Sequence, residues 1–317
     1  MYDIIGDIHG YAEELKTLLE TLGYSKTRSG YHHPDRTVVF CGDFIDRGPE
    51  IPEVVRIVRQ MCDEGNAVAV MGNHEFNALA FQTEDPDQPR KFLRPHSDRN
   101  LKQHAATLNQ FTEAELQSAL GWFRTLPVSI ETDSFRVVHA CWNPDCIEQI
   151  QAALHNYGSF TAPFLKKATT VHDEVFDAIE CVLKGPELPL PDGLFVTDQE
   201  GNRRKRIRIR WFHSPQNQTW KTYALPMVST LPADAVPADA FASPYASDER
   251  PVFVGHYWLR SYPPEPLTDN IACLDYSIAK DGWLCAYRFE GALPLTADRI
   301  VAIPSRYQTE KPSLGQG

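Results

Sequence analysis

Four short stretches of the chain set aspartate, asparagine or histidine beside glycine: Gly6-Asp7-Ile8-His9-Gly10, Gly42-Asp43-Phe44-Ile45-Asp46-Arg47-Gly48, Gly72-Asn73-His74-Glu75 and Gly255-His256-Tyr257-Trp258. A fifth, Val138-His139-Ala140, adds another imidazole. Carboxylate, amide and imidazole donors in this mixture suit hard to borderline divalent ions such as manganese, iron or zinc. Glycine next to a donor permits a tight turn and close approach of the backbone to a ligand. Each piece alone has an ordinary structural reading. Asp7 and His9 could be a turn and a helix cap, and Asp43, Asp46 and Asn73 could be turn formers. A lone His139 or His256 is more often a hydrogen-bonded core histidine. Five such pieces, each ending an apolar run, point instead to one metal site.

The apolar runs are the elements that must position these donors. YDIIG (2–6), TVVFC (37–41) and AVAVM (67–71) are short and almost continuously apolar, as strands buried on both faces are. Between them, Tyr11–Leu22 and Ile51–Met61 carry apolar residues at helical spacing. The resulting β-α-β-α-β pattern predicts a parallel sheet with crossover helices. In such a sheet the site lies outside the carboxyl ends of the strands, so the three turns should converge. Residues 77–127 read as mainly helical, with a capping box at Thr112–Glu115. VSIET (128–132) and FRVVHA (135–140) form a hairpin that brings His139 to a strand end, and 144–182 is helical again. Composition changes over about 184–250, which is rich in proline and reads as an irregular, lid-like insert. PVFVG (251–255), IACLD (271–275), GWLCAYRF (282–289) and RIVAI (299–303) supply a second set of strands. The organisation is one α/β domain over 1–303 with that insert, and a loose tail over 304–317.

A chain of 317 residues with 42% apolar and 23% charged residues has the composition of a folded globular protein. Its net charge of −11 argues against general nucleic-acid or anionic-membrane partners, which favour basic proteins. A phosphate-bearing substrate stays open, because bound metal reverses the local field. The seven cysteines are scattered and never spaced C-x-x-C, so they read as reduced thiols of a cytoplasmic chain. The N-terminal stretch lacks a signal-peptide pattern, and no apolar run is long enough for a spanning helix.

The order GDIHG, GDFIDRG, GNHE, a later strand-end His and a GH resembles the calcineurin-like metallophosphoesterase superfamily, in particular its branch of phosphoprotein phosphatases and symmetrical diadenosine tetraphosphatases. The resemblance spans Asp7 to His256. It implies a four-layer α-β-β-α sandwich of two mixed sheets with a dinuclear site at the strand ends. One ion would be held by Asp7, His9 and bridging Asp43, the other by Asp43, Asn73, His139 and His256. Manganese is the first choice, with iron, zinc, cobalt and nickel open. The implied chemistry is in-line attack on phosphorus by a hydroxide bridging the ions. His74 would protonate the leaving oxygen, Asp46 would orient that imidazole, and Arg47 would bind phosphate oxygens through its planar fork.

The chain departs from the family pattern at Cys141 and Trp142, where small residues are usual. Cys141 reads as packing, and Trp142 as narrowing the mouth of the site. In the insert, Arg206-Ile207-Arg208-Ile209-Arg210-Trp211 alternates with period two. Arg206 and Arg208 read as a solvated edge, and Arg210 is the candidate for a second substrate contact beside Arg47. Tyr257, Trp258 and Tyr276 could stack on a base, though aromatics near strand ends are more often core. A phosphatase acting on phosphoproteins or a broad range of phosphomonoesters ranks first. A dinucleoside polyphosphate hydrolase is the alternative, and a metal-binding scaffold without activity comes last, since all the donors and His74 are retained.

Overall fold

The computed structural model describes residues 1–308 apart from 29, 198–200 and 202. The chain runs β1 (Tyr2–Ile5), α1 (Ala12–Thr21), a hairpin of β2 (Ser25–Thr27) and β3 (Gly30–His32), β4 (Thr37–Phe40), α2 (Ile51–Asp63) and β5 (Ala67–Ala69). Helices α3 (Asn73–Gln82), α4 (Asp98–Gln110) and α5 (Glu113–Phe123) follow, then β6 (Ser129–Glu131), β7 (Arg136–Val138), α6 (Pro144–Tyr157), α7 (Ala162–Thr169) and α8 (Glu174–Lys184). The insert contains β8 (Glu187–Pro189), β9 (Val196–Thr197), β10 (Arg203–Arg204), β11 (Arg206–Arg208) and the one-turn α9 (Trp220–Tyr223). The chain closes with β12 (Val252–Val254), β13 (Ile271–Cys273), β14 (Asp275–Tyr276), β15 (Trp283–Phe289) and β16 (Ile300–Pro304).

Two mixed sheets result. In the first, β14, β15, β1, β4 and β5 follow one another in hydrogen-bonded order and β16 pairs β15. Its β1, β4 and β5 are parallel, as their unbroken apolar sequences require. The second runs β13-β12-β7-β6, with β12 parallel to both neighbours and β6–β7 the expected antiparallel hairpin. The sheets meet through edge-on aromatic contacts, Tyr2 on Phe135 at 4.8 Å and Phe135 on Phe289 at 5.4 Å between ring centroids. α1 and α2 lie on the first sheet, burying Leu15, Leu18 and Leu19, and Val54, Val55 and Val58 at helical spacing. α6, α7 and α8 pack together, and the Ala140 N–H donates to the Val182 carbonyl at the end of α8. This is the layered α/β sandwich expected. The capping box is present, with Thr112 and Glu115 satisfying each other's N–H groups.

The described residues of the insert, read from composition as irregular, carry short strands and apolar packing. Leu190, Ile207, Ile209, Trp220, Tyr223 and Leu231 form part of a small apolar core of its own. It is tied to the main body where Trp211 Nε1 donates to Tyr257 Oη at 3.1 Å, which in turn donates to the Ala140 carbonyl at 3.0 Å. Among the described residues no helix is long and apolar enough to cross a membrane.

The tail expected to be loose from 304 is anchored at its start, and 309–317 lie outside the described residues. Ser305 is buried, and Arg306 reaches Glu14 at 2.7 Å and Glu50 at 2.8 Å. Burial works against both carboxyls, and Arg306 outweighs it, holding them below their ordinary value. A depressed carboxyl contributes its stability above the unfolded value of about 4.3 and loses it as pH falls through the folded value. Arg306→Ala should therefore lower unfolding stability by about 1 kcal/mol near neutral pH, the cluster being partly exposed and screened by solvent. In urea titrations the deficit should shrink below about pH 4; an equal deficit at both pH values would assign the loss to packing.

Candidate active site

Each expected donor stands just beyond the carboxyl end of a central strand: Asp7 and His9 after β1, Asp43 after β4, Asn73 at the start of α3 after β5, His139 after β7 and His256 after β12. The turns that carry them are strained. Eleven non-glycine residues among those described have positive φ, and six belong here: His9, Asp43, Asp46, Arg47, His256 and Trp258. Close approach does the rest. A Cβ on Gly255 would stand 1.9 Å from Asp7 Oδ1, and one on Gly72 2.2 Å from Asp43 Oδ1.

Asp43 is the point of convergence. Its Oδ2 lies 3.4 Å from His139 Nε2, 3.7 Å from His9 Nε2 and 3.9 Å from His74 Nε2. The trios His9–Asp43–His74 and Asp43–His139–His256 each present donor atoms within 4.8 Å of one another. Asp7 Oδ2 is 4.0 Å from His9 Nε2, and Asn73 Oδ1 lies 3.1 Å from His139 Nε2 and 2.6 Å from His256 Nδ1. All six donors named from the sequence are thus brought together and buried.

The donor set fits divalent cations. His9 Nδ1–H donates to the Ile45 carbonyl at 2.9 Å and His139 Nδ1–H to the Cys41 carbonyl at 2.7 Å, which leaves each Nε2 with its lone pair. The buried Nε2 atoms of His9 and His256 have no hydrogen-bond partner among the described residues. Burial holds the His9 imidazole down to about 3 and that of His256 well below its ordinary value, so both are neutral. Burial, with Asp275 and Asp43 nearby, pushes the Asp7 carboxyl well up. Lone pairs and carboxylates face one another here, an arrangement that cations among them relieve.

A second cluster adjoins the first. His74 Nδ1 is 2.5 Å from Asp46 Oδ2, while Asp46 Oδ1 accepts from His104 Nδ1 at 2.8 Å and Thr107 Oγ1 at 2.5 Å. Burial opposes the ionised form of Asp46, yet these imidazole hydrogen bonds keep its carboxyl well below its ordinary value. Burial alone would lower the His74 imidazole; Asp43 and Asp46 outweigh it and raise it. Arg47 stacks over Trp258, guanidinium to ring centroid 4.9 Å.

Four positioning residues escaped the sequence reading. Glu75 accepts N–H groups from Gly72, Asp43, Phe44 and Ile45 at 2.8–3.3 Å, bracing the Asp43 turn. Asp275 accepts the Trp258 N–H at 2.7 Å. His104 and Thr107 sit three apart on α4, and that helical spacing was the available signal.

Beside the donors opens a cavity of about 360 Å³ lined by Arg47, His74, His256 and Trp258 on the strand-end side and by Arg204, Arg206 and Arg208 of the insert. Arg210 is not among its lining residues. The period-two alternation stops at β11: Ile209 bridges Ala224, and the Trp211 N–H turns back to the Ile209 carbonyl. That takes Arg210 off the face shared by Arg206 and Arg208. Trp142 does not narrow the mouth either, being buried under the Arg136 guanidinium at 5.0 Å. Cys141 is fully buried beside Cys181. Tyr276 is core, its Oη donating to the Glu265 carbonyl, whereas Tyr257 and Trp258 line the cavity.

Residues 2–160 match the family model for calcineurin-like phosphoesterases, half of the chain. The chain belongs to that family, whose chemistry uses divalent metal ions. It is 37% identical over 126 residues to the asymmetrical bis(5'-nucleosyl)-tetraphosphatase PrpE of Halalkalibacterium halodurans, covering 39% of this chain and 48% of the relative. It is 30% identical over 164 residues to the symmetrical bis(5'-nucleosyl)-tetraphosphatase of Baumannia cicadellinicola, covering 48% of this chain and 49% of the relative. The chain thus spans about half the length of these curated relatives. A solved serine/threonine phosphatase of Saccharomyces cerevisiae superposes with a TM-score of 0.49 at 14% identity, over 98% of this chain and 81% of that one.

Gly255 offers a test of the donor geometry away from the donors themselves. Gly255→Ala drives a methyl group into Asp7 Oδ1. Metal content by mass spectrometry should fall by at least half in the folded variant, and an unchanged content would mean Asp7 is not held as described.

Proposed function

We propose that the chain is a metal-dependent hydrolase of phosphate esters and anhydrides, with Asp7, His9 and Asp43 holding one divalent ion and Asp43, Asn73, His139 and His256 the other. The observation that carries the reading is Asp43 Oδ2 facing three imidazole Nε2 atoms within 3.9 Å, with His74 anchored on Asp46 at its edge. Ions bound there supply Lewis acidity, making water a nucleophile at neutral pH and neutralising phosphoryl charge.

The chain's own groups do the rest. Arg47, stacked on Trp258, presents guanidinium N–H groups to phosphate oxygens. His74 carries a proton at Nε2, kept there by Asp43 and Asp46, and delivers it to the leaving oxygen. Asp46 fixes the His74 ring and is itself fixed by His104 and Thr107, so the imidazole need not reorganise as the bond breaks.

On substrate, the cavity favours a small phosphorylated molecule over a phosphoprotein, reversing the order read from the motifs. The insert stands over one side of the site, where a protein substrate needs an open groove, and apolar Ile207, Leu225 and Val228 offer a surface for a base. The names of the two tetraphosphatase relatives support the same order.

Two substitutions test the roles. Asp43→Asn should lower both metal content and turnover, and full content with full activity would sink the shared-ligand assignment. His74→Asn should keep its metal and slow hydrolysis of an alkyl phosphate by about 10²-fold or more, the scale of general acid catalysis. The same variant should lose less on p-nitrophenyl phosphate, whose leaving group hardly needs a proton. Equal losses on both esters would remove His74 from the acid role.

A further inference from the structure

On a chain of net charge −11, the cavity beside the donors is cationic. Among the described residues Arg47, Arg99, Arg204, Arg206, Arg208 and Lys280 line it, against one carboxylate, that of Glu187. Hydrolysis of one phosphate group accounts for Arg47 and the metal donors. It does not account for the insert wall.

Arg206 is exposed, as an edge reading has it, but Arg204 and Arg208 are only partly exposed, and all three line the cavity. Arg204 Nη2 lies 3.1 Å from Glu187 Oε1, and Arg206 Nε lies 3.5 Å from Oε2 of the same carboxylate, so two positive charges share one negative. Arg208 is half-buried, its Nε donates to the Lys184 carbonyl at 3.0 Å, and no carboxylate among the described residues comes within ion-pair distance of it. Burial pulls its guanidinium below its ordinary value, and its charge helps depress the His256 imidazole across the cavity wall. Glu187 acts on Arg208 only at a distance and is already shared by Arg204 and Arg206, so this half-buried cation is completed by an anionic ligand. The fork of guanidinium donors matches phosphate oxygens two at a time.

We propose that Arg208, with Arg204 and Arg206 beside it, forms a second phosphate-binding subsite that engages a phosphate other than the one being cleaved, so that the enzyme selects substrates carrying a chain of linked phosphates. The inference rests on the hydrolase reading above and deepens it. A phosphopeptide brings one phosphate and leaves Arg208 without an ion-pair partner. A polyphosphate chain places further negative charges along the wall, and the apolar Ile207, Leu225 and Val228 accommodate an uncharged end.

The test separates subsite from activity. Binding of methylenebisphosphonate, with two linked and uncleavable phosphorus groups, and of methylphosphonate, with one, is measured by calorimetry on the full manganese-loaded chain. Wild type should bind the bisphosphonate more tightly. Arg208→Gln should weaken the bisphosphonate at least tenfold, and at least five times more than it weakens methylphosphonate. Arg208→Lys should fall between, since it keeps the charge and loses the fork. The exposed-side pair Arg204→Gln with Arg206→Gln should weaken the bisphosphonate selectively too, and it keeps the test valid if Arg208→Gln fails to fold. In steady state, Arg208→Gln should raise KM for diadenosine tetraphosphate far more than for p-nitrophenyl phosphate. Equal losses for the one- and two-phosphorus ligands, or no loss in any variant, would overturn the subsite. If wild type hydrolyses neither substrate, the hydrolase reading fails, while the binding arm still decides the subsite.

Discussion

One buried carboxylate, Asp43, is held with its Oδ2 among the Nε2 atoms of His9, His74 and His139, and the rest of the architecture follows from keeping it there. Burial opposes its charge, and the three imidazoles outweigh burial to keep the carboxyl well below its ordinary value. Three strands of one sheet and two of the other must end at the same place for these groups to meet. The turns do so in backbone conformations that cost about 1–3 kcal/mol each. That strain persists because the surroundings over-determine it: four N–H groups around Asp43 and Gly72 close on the Glu75 carboxylate, and the Asp7 carboxylate receives the His256 N–H. Burial and the charge of Asp43 push the Glu75 carboxyl up to about 7, a measure of how crowded with negative charge the centre is.

Charge is divided in space across the site. The donor centre is rich in lone pairs and carboxylates, while the adjoining cavity is lined by guanidinium groups and Lys280. His74 stands between the two, tied to Asp46 on one side and facing Asp43 on the other. A phosphate entering the cavity meets positive charge from the protein on one flank and, with ions bound, from the metals on the other. The net negative charge of the chain and its arginine-lined pocket are therefore compatible, because the positive groups are gathered on one cavity wall.

The parts of this arrangement that a sequence makes legible are those written in local pattern. Continuous apolar runs ended by glycine-bearing polar turns specified β1, β4 and β5 and placed Asp7, Asp43 and Asn73 at their ends. The helical periodicity of Leu15–Leu22 and Val54–Met61 gave the crossover helices. What was not legible depends on where one side chain lands relative to a distant one. Glu75 is an ordinary first-turn acid until the Asp43 turn, some thirty residues earlier, closes over it. His104 becomes a partner of Asp46 only once α4 packs against that turn. Arg210 shares the alternation of Arg206 and Arg208, but the bridge of Ile209 to Ala224 ends the strand before the pattern reaches it. The insert's prolines suggested irregularity, whereas Ile207, Trp220 and Tyr223 collapse into a core that its low hydrophobic periodicity conceals.

The most direct test of the central claim is anomalous diffraction from a manganese-soaked crystal of the full chain. Two metal peaks about 3.5–4 Å apart, with Asp43 contacting both, are predicted. A single peak, or two peaks of which neither touches Asp43, would contradict the account.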